Sequence, residues 1–289
     1  MPTSAQPPVL DRPETIYALG PEGTFSDYAA RRLREATGND VVPIAYTHTI
    51  PEVLVAAEGQ PGAWGVIPIE NSVAGTVGQA QDSLIVHPVT IFREIAVRVR
   101  FSLLASGPLQ RVETYYAHPQ AFDQCSEYLA AHLSQGEVIF TRSNVESGLT
   151  FLDRAGDAAV AAIVPVNFGA EHHRWRVAED IQTYQNNTTR FLAVRRSETG
   201  VDHDFTRAKT SIYIEPREDR PGLLHELLSN FQRHGINLCR LESRPAKVLP
   251  WTYVFFIDFT NNPGTAACLT GLRATGCTIS VLGSYDVLE

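Results

Sequence analysis

Three short apolar runs, at residues 15–19, 41–46 and 64–69, are divided by stretches with helical patterning. That alternation constrains the chain more than any other feature. Parallel strands need a long crossover between them, so strand–helix–strand order demands a mostly parallel α/β sheet. Gly20-Pro21-Glu22-Gly23 reads as a turn after the first run, and Thr24 is placed to cap a helix carrying Phe25, Ala29, Leu33 and Ala36. The third run stops at Glu70-Asn71-Ser72. Three hydrogen-bonding side chains then stand at a strand's C-terminal end, where such sheets keep their ligand crevices.

From about residue 89 to 105 the pattern becomes long, alternating apolar chain, which implies a crossing into a second lobe at about 94–180. Strands are expected there at 112–117, 138–140 and 158–164, with a helix at about 120–132. Residues 181–194 then return to the first lobe. Two lobes joined by crossing strands leave a cleft, a preferred place for small ligands. After a charged linker the pattern restarts as strand 209–215, helix 221–234, strand 236–244, strand 251–260, helix 263–275 and strand 277–284. That is the β-α-β-β-α-β, ferredoxin-like order. Residues 1–13 are Pro-rich and read as a disordered leader, without the basic-then-apolar order of a signal peptide.

A formal net charge of -8, with no basic run, argues against sequence-independent nucleic-acid binding. No apolar run approaches the ~18 residues that span a bilayer, so a soluble, cytoplasmic protein is expected. The four cysteines fall at wide spacings, which fits reduced thiols better than a disulfide framework. The histidines lack the i, i+4 and Glu-x-x-His spacings of a metal site. Gly-x-Ser-x-Gly, the nucleophile elbow, is missing, and the glycines at 20–23 have neither dinucleotide nor P-loop spacing.

Four motifs carry candidate chemistry. Asn187-Thr188-Thr189-Arg190-Phe191 delivers a hydroxyl and a guanidinium at the mouth of an apolar strand. Gly20 to Ser26 offers a helix start, with free N–H groups for a carboxylate or phosphate. In His118-Pro119-Gln120-Ala121-Phe122-Asp123-Gln124-Cys125, Gln120 and Gln124 share one helix face. His118 reads there as a structural hydrogen-bonder rather than a base, and Cys125 as packed and inert. In the last unit, the segments around Gly222, Asn237 and Glu242 make either an amino-acid site at a dimer edge or a plain turn and strand end.

In this order the motifs resemble prephenate dehydratase with a C-terminal ACT regulatory domain, over about residues 14–289. Residues 17–26 are similar to that family's opening motif, Glu70-Asn71-Ser72 to its Glu-Asn-Ser, and 118–125 to its helix motif. Thr189-Arg190-Phe191 is similar to its signature Thr-Arg-Phe, and 238–245 to its Glu-Ser-Arg-Pro regulatory segment. The resemblance implies a periplasmic-binding-protein-like catalytic domain at 14–196, a linker at 197–207 and an ACT domain at 208–289. It implies conversion of prephenate to phenylpyruvate, carbon dioxide and water in L-phenylalanine biosynthesis, without metal or cofactor, regulated by L-phenylalanine in a homodimer or homotetramer.

By the same resemblance Thr189, Glu70, Asn71 and Ser143 are catalytic, while Thr24, Ser72, Arg190, Phe191 and Gln120 bind substrate. Gly222, Leu223, Leu224, Asn237, Leu238, Glu242, Ser243, Arg244 and Pro245 would hold L-phenylalanine. The chain departs from the family pattern twice. Ser143-Asn144-Val145-Glu146-Ser147-Gly148-Leu149 stands where a Ser-Thr-Ala-like segment is usual, and Gly222-Leu223-Leu224 where Gly-Ala-Leu is. The alternatives are a prephenate decarboxylase that keeps the hydroxyl, a branch expected to lack Thr189, and a non-catalytic amino-acid sensor.

Overall fold

The computed structural model describes residues 12–198, 203–246 and 252–288. The expected leader lies outside them except for its last two residues, and so does part of the expected linker. No helix among the described residues is long and apolar enough to cross a membrane.

Two sheets organise the chain. The larger begins as the alternation demands: Thr15–Leu19 pairs in parallel with Ile44–Thr47 on one side and Ala63–Asn71 on the other. Thr188–Arg196 then lies antiparallel between Ala63–Asn71 and Val89–Arg98. Residues 99–100 cross to a five-stranded sheet ordered Arg176–Glu179, Phe101–Ala105, Val160–Pro165, Thr114–Ala117, Glu137–Phe140. Residues 180–187 cross back. The expected single helix at 120–132 is two, Pro119–Gln124 and Ser126–His132. They part at Cys125, where the carbonyl of Gln124 is drawn out of the helix to accept the Thr183 N–H at 2.8 Å.

Helix Phe25–Ala36 covers one face of the larger sheet, burying Ala29, Ala30 and Leu33 against Val66, Val97, Phe191 and Ala193. Helices Ile50–Gly59 and Gly78–Val86 cover the other face. The C-terminal elements follow the expected β-α-β-β-α-β succession, with one difference. The last strand runs on to Leu288 and pairs in parallel with Val89–Arg98, Asp286 lying against Arg93 and Leu288 against Ile95. The sheet therefore continues unbroken from the first strands into the C-terminal ones.

Their cores merge as well. Val254, Phe256, Leu282 and Tyr285 join one cluster with Ile69, Leu84, Ile91 and Leu192. At about 1.5–3 kcal/mol for each fully buried large side chain, that contact rivals the whole stability of an ordinary domain, roughly 5–15 kcal/mol.

Candidate functional site

Successive residues of a strand face opposite sides of its sheet. Thr189 and Arg190 therefore part company. Thr189 lies opposite Asn71, and Arg190 opposite Glu70. Between that pair and the next, Phe191 with Pro68, the register slips by one residue at Ile69. Such a bulge resets the alternation. Ile69 and Glu70 both serve the side that meets the C-terminal strands, and Asn71 turns to the other.

On that other side a polar relay joins the two sheets. The Asn71 amide donates to Thr189 Oγ1 at 2.9 Å and to Asn187 Oδ1 at 2.7 Å. Its own oxygen accepts from the N–H groups of Val73 and Ala74 at 3.0 and 2.8 Å, which fixes the amide's orientation. Asn187 in turn donates to Gln124 Oε1 of the second sheet's helix at 2.9 Å. Gln124, Asn187 and Asn71 are 5%, 1% and 6% exposed. Amides this deeply buried hold one geometry, because a lost partner costs about 1–3 kcal/mol. The Thr189 oxygen accepts one of these bonds. Its proton has no acceptor among the described residues and is free to donate outward.

Ser72 latches the same crossing, its hydroxyl accepting the Thr188 N–H at 3.0 Å and reaching the Asn186 carbonyl at 3.4 Å. Phe191 is fully buried against helix Phe25–Ala36. Asn187 and Gln124 were not among the expected site residues, whereas Gln120 was; Gln120 is exposed and takes no part in the relay. Of two glutamines one turn apart, the one nearer the helix break reaches the crossing segment.

Glu70 and Arg190 differ from expectation. The guanidinium meets three carboxylates: Glu70 at 2.8 Å, Glu94 at 2.8 Å and Asp258 of the C-terminal strands at 2.9 Å. Burial works against its charge, but the attraction of Asp258 and Glu94 outweighs that and raises its pKa. A cation so saturated is not an open clamp for a substrate carboxylate. Ser143 also has a local duty. It caps helix Asn144–Asp153 by accepting the Glu146 N–H at 3.0 Å, while Glu146 reaches back to the Arg142 N–H at 2.6 Å. That is capping-box logic, and it explains the acidic residue in a segment where small ones are usual.

A cavity of about 670 Å³ opens between the sheets. Gly23, Thr24, Phe25 and Arg31 line one side, Val145 and Leu149 the other. Thr24 caps helix Phe25–Ala36, so the free N–H groups of its first turn sit at this wall. Arg31, which sequence reading passed over, also lines the cavity but is already paired with Asp27 at 3.0 Å and with Glu22. The residues of the relay are not among the cavity's lining. Phe25 connects the two, packing edge-on against Phe101 at 5.6 Å beside the crossing. His118 caps helix Pro119–Gln124, its Nδ1 accepting the Gln120 N–H at 3.3 Å, and burial lowers its pKa. Burial pushes the Cys125 thiol up to about 12, so it stays protonated.

A second cavity, about 390 Å³, lies in the C-terminal part. Gly222, Leu223, Leu224 and Ser243 of the expected effector set line it, together with Tyr253 and Phe255. Gly222, at φ 82°, starts helix Leu223–Arg233 in a conformation that side chains disfavour. Asn237, Leu238, Glu242, Arg244 and Pro245 are not among its lining. Glu242 accepts from Thr76 at 3.0 Å and Arg244 pairs with Asp82 at 3.2 Å, both across to the first sheet's side. Strand alternation is again the reason: Ser243 faces one way, its two neighbours the other.

A protein-family profile described as Prephenate dehydratase (PDT) matches residues 16–199. The prephenate dehydratase of Methanocaldococcus jannaschii is 32% identical over 277 residues, covering 95% of this chain and 98% of that one. The bifunctional chorismate mutase/prephenate dehydratase of Pseudomonas aeruginosa is 33% identical over 286 residues, 96% of this chain and 74% of that one. Among solved structures, the prephenate dehydratase of Arthrobacter aurescens in complex with L-Phe is 29% identical, with a TM-score of 0.80 over 94% of this chain and 90% of that one. With a profile matched over more than half its length and relatives above 30% identity along nearly all of it, the chain belongs to the prephenate dehydratase family.

Proposed function

We propose that the Thr189–Asn71 pair is the catalytic centre of this carbon–oxygen lyase, which converts prephenate to phenylpyruvate, carbon dioxide and water in L-phenylalanine biosynthesis. In this reading the catalytic domain spans 14–196, its two sheets being the lobes of a periplasmic-binding-protein-like scaffold with the second at about 94–180. A linker follows at 197–207, then an ACT regulatory domain at 208–289.

The reaction asks little of the protein. Breaking the ring C–C bond to the carboxylate sends its electron pair into the ring as carbon dioxide leaves. The 4-hydroxyl departs with the other pair, and a proton drawn from solvent completes the water. Gain of aromaticity drives both cleavages. Thr189 supplies a positioned hydrogen bond to the departing oxygen; a threonine is too weak an acid to do more than donate or relay. Asn71 holds that hydroxyl in line, and the buried amides behind it keep the arrangement preorganised. Thr24 with the helix start receives carboxylate in the cavity between the lobes, while Val145, Leu149 and Phe25 keep it dry. The observation that carries the assignment is the 2.9 Å bond from Asn71, which occupies the Thr189 oxygen and leaves its proton to give. Thr189→Val should lower the rate of phenylpyruvate formation, followed by its ultraviolet absorbance, by roughly 10²–10⁴-fold. A correctly folded variant with near-normal turnover sinks the assignment.

We assign L-phenylalanine to the C-terminal cavity, whose helix start suits a carboxylate and whose Leu224, Tyr253 and Phe255 suit a ring. The L-Phe complex of the Arthrobacter aurescens relative supports this. The edge strand Leu238–Pro245 offers unpaired backbone to a second copy, in keeping with a homodimer or homotetramer in the cytoplasm. Relatives matched along the chain bear the dehydratase name, and Thr189 is present, so neither the decarboxylase nor the sensor alternative is favoured.

A further inference from the structure

Asp258 belongs to the C-terminal strands yet grips the residue next to Thr189, from the opposite face of the sheet. It is 5% exposed, and its carboxylate is held from behind by Ser211 Oγ at 2.6 Å, itself bonded to the Tyr285 hydroxyl at 2.6 Å. From the front it grips Arg190 at 2.9 Å. Arg190 directly follows Thr189 and lies opposite Glu70, beside the bulge that the neighbouring strand makes at Ile69. At a bulge the ladder is locally disrupted and the twist increases, so here the Thr189 strand keeps regular pairing only on its other edge, with Val89–Arg98. A contact outside the ladder can then set the twist on the bulged edge. The guanidinium, held by Glu70 and Glu94 of adjacent strands and by Asp258 of the C-terminal strands, can do so because its planar fork fixes direction as well as distance.

We propose that Asp258 is a positioning residue for the dehydration: through Arg190 it fixes the strand's twist at the bulge and so aims the Thr189 hydroxyl. The C-terminal unit is then part of the catalytic apparatus even with no effector bound. This rests on the role given to Thr189 above. Asp258 touches no substrate and acts only through its neighbour.

Asp258→Asn tests this in the full-length protein. The amide keeps the bond to Ser211 and removes the charge, while Glu70 and Glu94 still balance Arg190, so the fold survives; circular dichroism and a melting curve confirm it. Misplacing a reacting group by about an ångström costs up to ~10²-fold. We expect kcat to fall between about 10- and 100-fold, with KM changed less than about twofold because the cavity lining is untouched. In a Thr189→Val background the same change should cost nothing more, since two residues acting through one hydroxyl are not additive. Ser211→Ala, a milder disturbance, should show the same pattern at smaller amplitude. A normal kcat in Asp258→Asn while Thr189→Val is crippled overturns this proposal alone. A normal kcat in Thr189→Val overturns both readings, and losses that multiply in the double variant reduce Asp258 to a structural residue.

Discussion

The larger sheet meets its two neighbours in opposite ways. The five-stranded sheet is reached by two crossings, tied by the Arg100–Asp180 ion pair, the bond from the Val99 N–H to the Asn187 carbonyl, and the amide relay. The C-terminal strands share its hydrogen-bonded ladder, its apolar cluster and a buried group of charges. A junction of two strands can bend, whereas a continuous sheet with a common core cannot move without unfolding. Any opening of the cavity between the sheets is therefore expected at the first junction, and rigid transmission at the second.

The hardest way to break that contrast is to delete the C-terminal part. A chain ending at Arg207 would bare the cluster around Ile91 and Leu192, strip Lys209 from the buried Glu94 and leave Val89–Arg98 as a raw edge. We expect it to be insoluble or unfolded on expression; a monodisperse truncated protein melting like the full chain would show that the parts are separable. A smaller cut is Phe256→Ala. Emptying a fully packed aromatic position should cost about 3–5 kcal/mol in urea denaturation, with the first strands and the C-terminal strands of the larger sheet lost in one transition. Two transitions, with the C-terminal part melting first, would count against a common core.

The smallest effect lies across the two-strand junction, at His118. Burial lowers its folded pKa, so the unfolded chain takes up the proton first as pH falls. The linked stability is intact above the unfolded value of about 6.5 and is lost as pH falls from there through the folded pKa. Asn at 118 keeps a capping oxygen without titrating. The urea midpoint of His118→Asn, followed from pH 8 to 5, should therefore decline less than that of the unaltered protein. Parallel curves would remove His118 from the pH response.

Strand–helix alternation announced the first three strands, and the turn residues announced the C-terminal succession. The join between them was hidden, because pairing between strands almost two hundred residues apart leaves no local pattern. One signal was available. Gly283 interrupts an apolar strand, as glycines do where backbones approach closely, and a Cβ placed there would meet the Ile91 carbonyl at 2.1 Å. At the site, Thr189 and Asn71 were legible as polar residues at strand ends. Arg190 and Glu70 were assigned to the same cavity although neighbours on a strand face apart; period two, applied to 189–190, separates them. No sequence rule would have chosen Gln124 over Gln120, since the choice depends on a helix break at which an N–H from elsewhere, that of Thr183, takes the Gln124 carbonyl.

The bulge at Ile69 makes the protein unforgiving of small length changes in one place. Inserting a single residue between Ile69 and Glu70, with the bulge kept, would turn Asn71 toward the acidic cluster and Glu70 toward the side of Thr189. We expect an added residue to be tolerated better in the turns on either side of this strand than between Ile69 and Asn71.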